Sequence, residues 1–93
     1  MTKYETATIL QGLDPRQVGM SIRFHREILG YSLDTLGKEV GCSRQTISNY
    51  EHGRNYLLNK IKFLDKLTKA LGIDMHQLLE CAGFYDKDGS LKK

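Results

Sequence analysis

Five polar residues fall within one short stretch, and their side chains are of the types that can read the edges of nucleic-acid bases. They are Arg44, Gln45, Thr46, Ser48 and Asn49. The guanidinium of Arg44 can donate two hydrogen bonds to guanine, and the amides of Gln45 and Asn49 can pair in the same two-bond way with adenine. A polar helix face that is merely solvated would have a similar composition. The elements that carry these residues decide between the two interpretations.

The surrounding residues predict two short helices joined by a tight turn. Ser32 and Ser43 are good N-caps, because a serine hydroxyl can accept a hydrogen bond from an unpaired amide of the first helical turn. Gly41 stands where a helix often ends in a left-handed residue. In the second helix Ile47 and Tyr50 lie three apart and are expected to face inward. The five polar residues then lie mostly on its outer face.

This arrangement resembles the helix-turn-helix of the phage repressor and Cro type, known as the XRE family. The resemblance covers roughly residues 20–82, most of the chain. A lone glycine turn between two helices would be a weak signal, whereas a long set of positions in register is specific. The matching positions are Ile22, Arg23, Arg26, Glu27, Gly30, Ser32, Leu36, Gly41, Ser43, Ile47, Ser48, Glu51, Gly53, Ala70, Leu71, Gly72, Leu78 and Leu79.

The resemblance implies an all-α fold, a compact five-helix DNA-binding domain whose second short helix enters the major groove. Base contacts are implied for Arg44, Gln45 and Asn49, with Thr46 and Ser48 at the margin. Phosphate contacts are implied for Ser43, Arg54, Asn55 and Tyr56. An ion pair between Arg26 and Glu51 would tie the first helix to the recognition helix.

Three features depart from the family pattern. Leu33 stands where the family often has a glutamine that reaches a DNA phosphate, so that contact is expected to be absent. Gly37 stands where the family has alanine, at the crossing of the two short helices, and glycine preserves their close approach. The loop after Gly53 lacks the family's proline and is longer than expected, which leaves its phosphate contacts open.

The remaining helices follow from apolar spacing and from glycine stops. The first should run from residue 18 or 20 to 29, where Gly30 ends it. Its apolar content is Ile22, Phe24, a partly buried His25, Ile28 and Leu29. The fourth should run from residue 57 or 58 to 71, with an apolar arc wider than one core needs. Asp74 should cap a fifth helix from Met75 to about Cys81.

Both ends of the chain are expected to lie outside this domain of residues 20–82. Residues 1–19 read as a partly ordered extension, with a dimer contact or an arm along DNA as alternatives. Residues 83–93 are expected to form a turn followed by disorder. Phe84 and Tyr85 are too apolar for that setting, so they should cover the end of the domain or meet a second subunit.

Composition and side-chain chemistry exclude several classes of function. A chain of 93 residues forms one domain, and its net charge of +3 is only mildly basic. No catalytic set, metal site or cofactor site is expected, because the histidines and cysteines match no such spacing. They are His25, His52, His76, Cys42 and Cys81. No apolar run could cross a membrane and no secretory signal is visible, so a cytoplasmic location is expected.

We therefore expect a sequence-specific regulator of transcription that binds double-stranded DNA. It would act as a repressor and as a homodimer on a palindromic operator, because one short helix reads too few base pairs alone. An antitoxin with a small protein partner and a restriction controller share this fold. A protein-interaction module that has lost DNA binding is the rival from another class, and salt dependence of binding separates it from a DNA binder.

Overall fold

The computed structural model describes residues 14–54 and 61–92. Five helices lie in these ranges: α1 Pro15–Ile28, α2 Leu33–Val40, α3 Arg44–Glu51, α4 Ile61–Leu71 and α5 Met75–Ala82. Within them the only β-type pairing is an isolated antiparallel bridge between Tyr85 and Leu91. The predicted all-α class is confirmed. Among the described residues, no helix has both the length and the apolar character needed to span a membrane.

Helix α1 begins at Pro15, earlier than the predicted start at residue 18 or 20. Asp14 is its N-cap and forms a capping box with Gln17, in which each side chain bonds the other residue's amide. Pro15 occupies the first helical position, where its missing amide hydrogen costs nothing. Residues 15–19, which the sequence analysis assigned to the N-terminal extension, are therefore helical.

The predicted caps of the two short helices are confirmed. The Ser32 hydroxyl accepts from the Thr35 amide at 3.0 Å at the start of α2. Gly41 ends α2 with a φ of 90°, the left-handed conformation that glycine adopts without strain. At α5 the predicted Asp74 cap is also present, and the helix extends one residue beyond the expected end, to Ala82.

One core joins the five helices. Its largest fully buried apolar side chains come from every helix: Val18, Ile22, Leu36, Ile47, Leu64, Leu67 and Leu78. Tyr50 of α3 stacks on Phe63 of α4, with ring centroids 4.5 Å apart. The Ser21 hydroxyl of α1 donates to the Leu78 carbonyl of α5 at 2.7 Å, which satisfies a polar group inside the core.

The apolar residues of α1 and α4 are not distributed as the sequence suggests. On α1, Ile22 is buried, but Phe24, Ile28 and Leu29 are 41%, 65% and 44% exposed. On α4, Leu64, Leu67 and Leu71 all lie in the core, so the described part of this helix has no surplus apolar arc. Its predicted start at residue 57 or 58 lies outside the described residues. Among the described residues, the exposed large apolar side chains lie on or directly after α1 and in the tail.

The tail after α5 packs on the start of α1. The predicted turn is present, because the Asp86 amide donates to the Ser90 carbonyl at 2.7 Å. The disorder expected after it is not observed, since the Lys92 amide returns to the Phe84 carbonyl at 2.9 Å. Tyr85 is buried, and its carbonyl accepts from the Gln17 side chain at 2.6 Å. Gln17 lies 68 positions away, so no local signal predicts the contact.

Helices α1 and α3 approach closely at Gly19. A Cβ atom there would lie 2.4 Å from the Tyr50 carbonyl oxygen and 2.5 Å from the Glu51 carbonyl oxygen. Both are backbone atoms, which cannot rotate away as a flexible side chain can. The contact between α1 and the end of α3 therefore requires glycine at this position.

We predict that Gly19→Ala lowers the free energy of unfolding by roughly 1–3 kcal/mol, because the helices must separate to admit the methyl group. Urea denaturation followed by circular dichroism measures this change. Gly83→Ala is the control, since its Cβ would meet only the Glu80 carbonyl oxygen at 3.3 Å. It should change stability by less than about 1 kcal/mol. Equal losses in the two variants would contradict the close approach at Gly19.

A second pair of variants isolates the contact between the tail and α1. Gln17 and Gln77 each complete a capping box, but only Gln17 also bonds the buried Tyr85 carbonyl. Gln17→Ala should therefore cost about 1–3 kcal/mol, because it leaves that carbonyl unsatisfied. Gln77→Ala should cost less, about 0.5–1 kcal/mol, for the cap alone. If Gln17→Ala and Gln77→Ala lower the free energy of unfolding by similar amounts, the bond between Gln17 and the tail adds no stability.

Candidate nucleic-acid interface

Helix α3 has one buried face and one polar face. Ile47 and Tyr50 are buried, as predicted from their spacing. Arg44 and Gln45 are exposed at the start of the helix. The three other predicted base-contacting residues are half-buried on its flanks: Thr46, Ser48 and Asn49. Arg44 and Gln45 are therefore the most exposed of the five.

Ser43 is the N-cap of α3, which is where the predicted phosphate contact requires it. Its hydroxyl oxygen accepts from the Thr46 amide at 3.2 Å and lies 3.0 Å from the Thr46 hydroxyl oxygen. If the Thr46 hydroxyl is the donor in that second bond, the Ser43 proton is available to an outside acceptor. An anion there would also meet the positive end of the helix dipole.

The two amides on the polar face are hydrogen-bonded to each other. Gln45 Nε2 donates to Asn49 Oδ1 at 3.0 Å, across one helical turn. The bond orders two side chains that would otherwise rotate freely in water. It leaves the Gln45 oxygen as an acceptor and the Asn49 nitrogen as a donor, which together match the two groups that adenine presents in the major groove.

Arg44 has an acidic neighbour that the sequence did not point to. Its Nη1 lies 3.8 Å from Asp34 Oδ2 in the first turn of α2, and both side chains are more than 60% exposed. An ion pair this long and this exposed contributes roughly 0–1 kcal/mol. Arg44 can therefore exchange the carboxylate for another acceptor at little cost. Only the packing of α2 against α3 brings the two residues together.

The turn between α2 and α3 leaves no room for a side chain at Gly37. A Cβ atom at this position would lie 2.7 Å from the Cys42 carbonyl oxygen in the turn. The Gly41 and Cys42 amides both donate to the Gly37 carbonyl at 2.8 Å, which closes the turn on this residue. The expected role of Gly37 at the helix crossing is confirmed. The approach is so close that the family's alanine would require the backbone to shift.

The predicted pair between Arg26 and Glu51 is present and nearly buried. Arg26 Nε donates to Glu51 Oε2 at 2.6 Å, and Arg26 Nη2 donates to Glu51 Oε1 at 3.1 Å. The third guanidinium nitrogen donates to the Tyr31 carbonyl at 2.8 Å. The side chains are only 13% and 4% exposed. This two-bond fork fixes the last residue of α3 to α1.

The end of α3 leads directly to Arg54. The Gly53 amide donates to the Tyr50 carbonyl and the Arg54 amide donates to the Asn49 carbonyl, the two bonds of a Schellman motif. The motif places the exposed Arg54 just beyond the recognition helix. Two other predicted phosphate contacts, Asn55 and Tyr56, lie outside the described residues. These three assignments stay predictions.

Two titratable groups near α3 have local structural partners. Cys42 is half-buried beside the core, and burial raises the pKa of its thiol, so it packs as a small apolar residue. The His52 ring lies against the Ser48 carbonyl at the end of α3. Among the described residues, no three His, Cys, Asp or Glu side chains are grouped as metal ligands.

Comparison with known proteins also indicates a helix-turn-helix protein. A family model described as helix-turn-helix matches residues 22–78. The HTH-type transcriptional regulator SinR of Bacillus subtilis (strain 168) is 33% identical over 75 residues, which is 80% of this chain and 66% of that protein. The protein of the same name from Bacillus licheniformis has the same identity and coverage. No solved structure gives a significant match. The chain thus spans slightly less than two thirds of these relatives.

We predict that Arg26→Ala lowers the free energy of unfolding by about 3–5 kcal/mol, because it leaves the Glu51 carboxylate buried without a partner. The matched control is Arg23→Ala. Arg23 forms an ion pair of equal length, 2.6 Å, with Glu27, but on the exposed surface of the same helix. This control should cost less than about 1 kcal/mol. Chemical denaturation measures both, and a small loss for Arg26→Ala would contradict the structural role of the fork.

Proposed function

The chain belongs to the helix-turn-helix family of DNA-binding transcriptional regulators of the XRE type, and we propose that it represses transcription as a homodimer on a palindromic operator. The observation that carries this proposal is the polar face of α3. Arg44 and the linked amides of Gln45 and Asn49 project from a helix whose other face is locked into the core. A polar face that is merely solvated needs no such fixed support.

Within this proposal the contacts divide into two classes. Ser43 and Arg54, at the two ends of α3, would bind phosphates and set the register of the protein on the duplex. Arg44, Gln45 and Asn49 would read base edges, with Thr46 and Ser48 contributing at the flanks. The chain would need no cofactor and would catalyse no reaction. It would act in the cytoplasm, where the DNA of a bacterium or its phage is found.

The homodimer follows from the specificity that one helix can provide. Each good two-bond base contact discriminates by about 1–3 kcal/mol, and α3 carries only a few of them. A second half-site one helical turn away, about 34 Å along the duplex, doubles this discrimination. Repression is the simplest outcome, because a dimer bound over a promoter excludes polymerase without any further contact.

A protein-interaction module is the second candidate, and Asp34 is the observation that favours it. Its carboxylate lies 3.8 Å from Arg44, at the place where a DNA phosphate or base edge would approach. Leu33, beside it, also lacks the phosphate-binding amide that the family often has. A module of this kind would bind DNA weakly or not at all, so salt-dependent DNA binding separates the two candidates.

The test is selection of genomic fragments by the purified protein, followed by affinity measurements at two salt concentrations. We expect a palindromic site whose affinity falls steeply as salt rises. Arg44→Ala should weaken binding to that site by roughly 10- to 100-fold and bind random DNA almost as well as the wild type.

Lys69→Ala removes the same charge from α4 and is the control. It should change affinity for the selected site by less than about threefold. If no fragment is enriched, or if both variants lose the same affinity on every sequence, sequence-specific regulation is refuted. Retention of a protein partner by the wild type would then support the second candidate.

A further inference from the structure

The outer face of α1 carries apolar side chains that the described part of the chain does not cover. Phe24 is 41% exposed, and Ile28, one turn later, is 65% exposed. Phe84, just past the end of α5, is 63% exposed. Phe24 and Phe84 line the same groove of about 460 Å³, together with Cys81. Such a grouping is unusual on a small soluble domain and indicates a binding surface.

Charged residues border this surface in a regular pattern. Arg23 precedes Phe24, and Glu27 precedes Ile28, so a basic–aromatic pair is followed one turn later by an acidic–aliphatic pair. The Arg23 and Glu27 side chains remain about half exposed, although they contact each other at 2.6 Å. Both signs of charge therefore lie along one edge of the same apolar face, next to a second groove that includes Phe24.

This pattern is complementary to itself. In an antiparallel pairing of two α1 helices, a two-fold axis places Phe24 of one copy on Ile28 of the other. The same axis places Arg23 of one copy opposite Glu27 of the other, and each contact occurs twice. A partner with one sign of charge would leave Arg23 or Glu27 facing a like charge. The charge distribution thus favours a second copy of this chain over an unrelated partner.

We propose that two copies of the chain associate through this α1 surface, with Phe24 and Ile28 at the centre, Arg23 and Glu27 along the edge and Phe84 closing the side. The proposal names the interface of the homodimer that the proposed function requires, and it rests on that proposed function. It places the interface on α1 and not on α4, where Leu64, Leu67 and Leu71 are buried in the core. Because Arg26 of the same helix holds α3, the pairing of α1 also sets the spacing of the two recognition helices.

Sedimentation velocity over a range of concentrations tests the interface without DNA. The wild type should dimerise, and Phe84→Ser should weaken dimerisation by roughly 100-fold, because it removes an aromatic contact from each half. Leu91→Ser is the matched control: Leu91 is as exposed as Phe84, at 65%, but lines neither groove. It should dimerise like the wild type. Circular dichroism confirms that each variant is folded.

Reversal of the charges tests the antiparallel arrangement. Arg23→Glu should weaken dimerisation by roughly tenfold, because the introduced carboxylate would then face Glu27 of the other copy in two places. Adding Glu27→Arg to this variant should restore the wild-type dimer, since opposite charges face each other again. A loss that this second change does not repair would overturn the arrangement. A wild type that stays monomeric at all concentrations would overturn the interface.

Two further outcomes separate this proposal from its alternatives. If the dimer forms and responds to the variants as expected while no DNA fragment is bound, the interface is supported and the operator-binding function fails. If the protein binds its operator as a dimer and none of these substitutions changes dimerisation, the function is supported and the interface is overturned.

Discussion

The ion pair between Arg26 and Glu51 is the interaction on which the position of α3 and its polar face depends. Helix α3 has only eight residues, which is too short for a helix to be stable alone, so its position must come from packing. Ile47 and Tyr50 bury one face, and the Arg26 fork fixes its last residue at 2.6 and 3.1 Å. The close approach at Gly19 allows the fork to form, because it brings the backbone of α1 against the end of α3. The polar face is therefore presented at one fixed angle.

Helix α1 makes equivalent polar connections to the other parts of the domain. Ser21 bonds the Leu78 carbonyl of α5, and Gln17 bonds the Tyr85 carbonyl of the tail. These bonds are directional and lie in buried surroundings, so each specifies one arrangement where apolar packing alone would tolerate several. Across the described residues, no buried side-chain nitrogen or oxygen lacks a hydrogen-bond partner. The chain achieves this with a core that is otherwise aliphatic and aromatic.

Two surfaces with different chemistry are thus attached to one helix. The inner side of α1 positions the polar face of α3, and its outer side exposes Phe24 and Ile28. A regulator that binds two half-sites must couple recognition to self-association, and a rigid helix that contacts both surfaces couples them directly. The mild net charge of +3 fits this design, because affinity would then arise from a few placed side chains and from pairing.

The sequence alone determined the features that depend on near neighbours in the chain. These features are the caps at Ser32, Ser43 and Asp74, the glycine ends of α1, α2 and α4, and the inward spacing of Ile47 and Tyr50. All of them follow from local hydrogen bonding and helical periodicity. Family resemblance added the pair between Arg26 and Glu51. The start of α1 was missed because Pro15 serves equally as a break or as a first helical residue. Only the tertiary structure decided that Phe24, Ile28 and Leu29 stay outside, that Asp34 meets Arg44, and that the tail folds onto Gln17. Each of these depends on how helices cross and on residues that are distant in the chain, and periodicity carries no information about either.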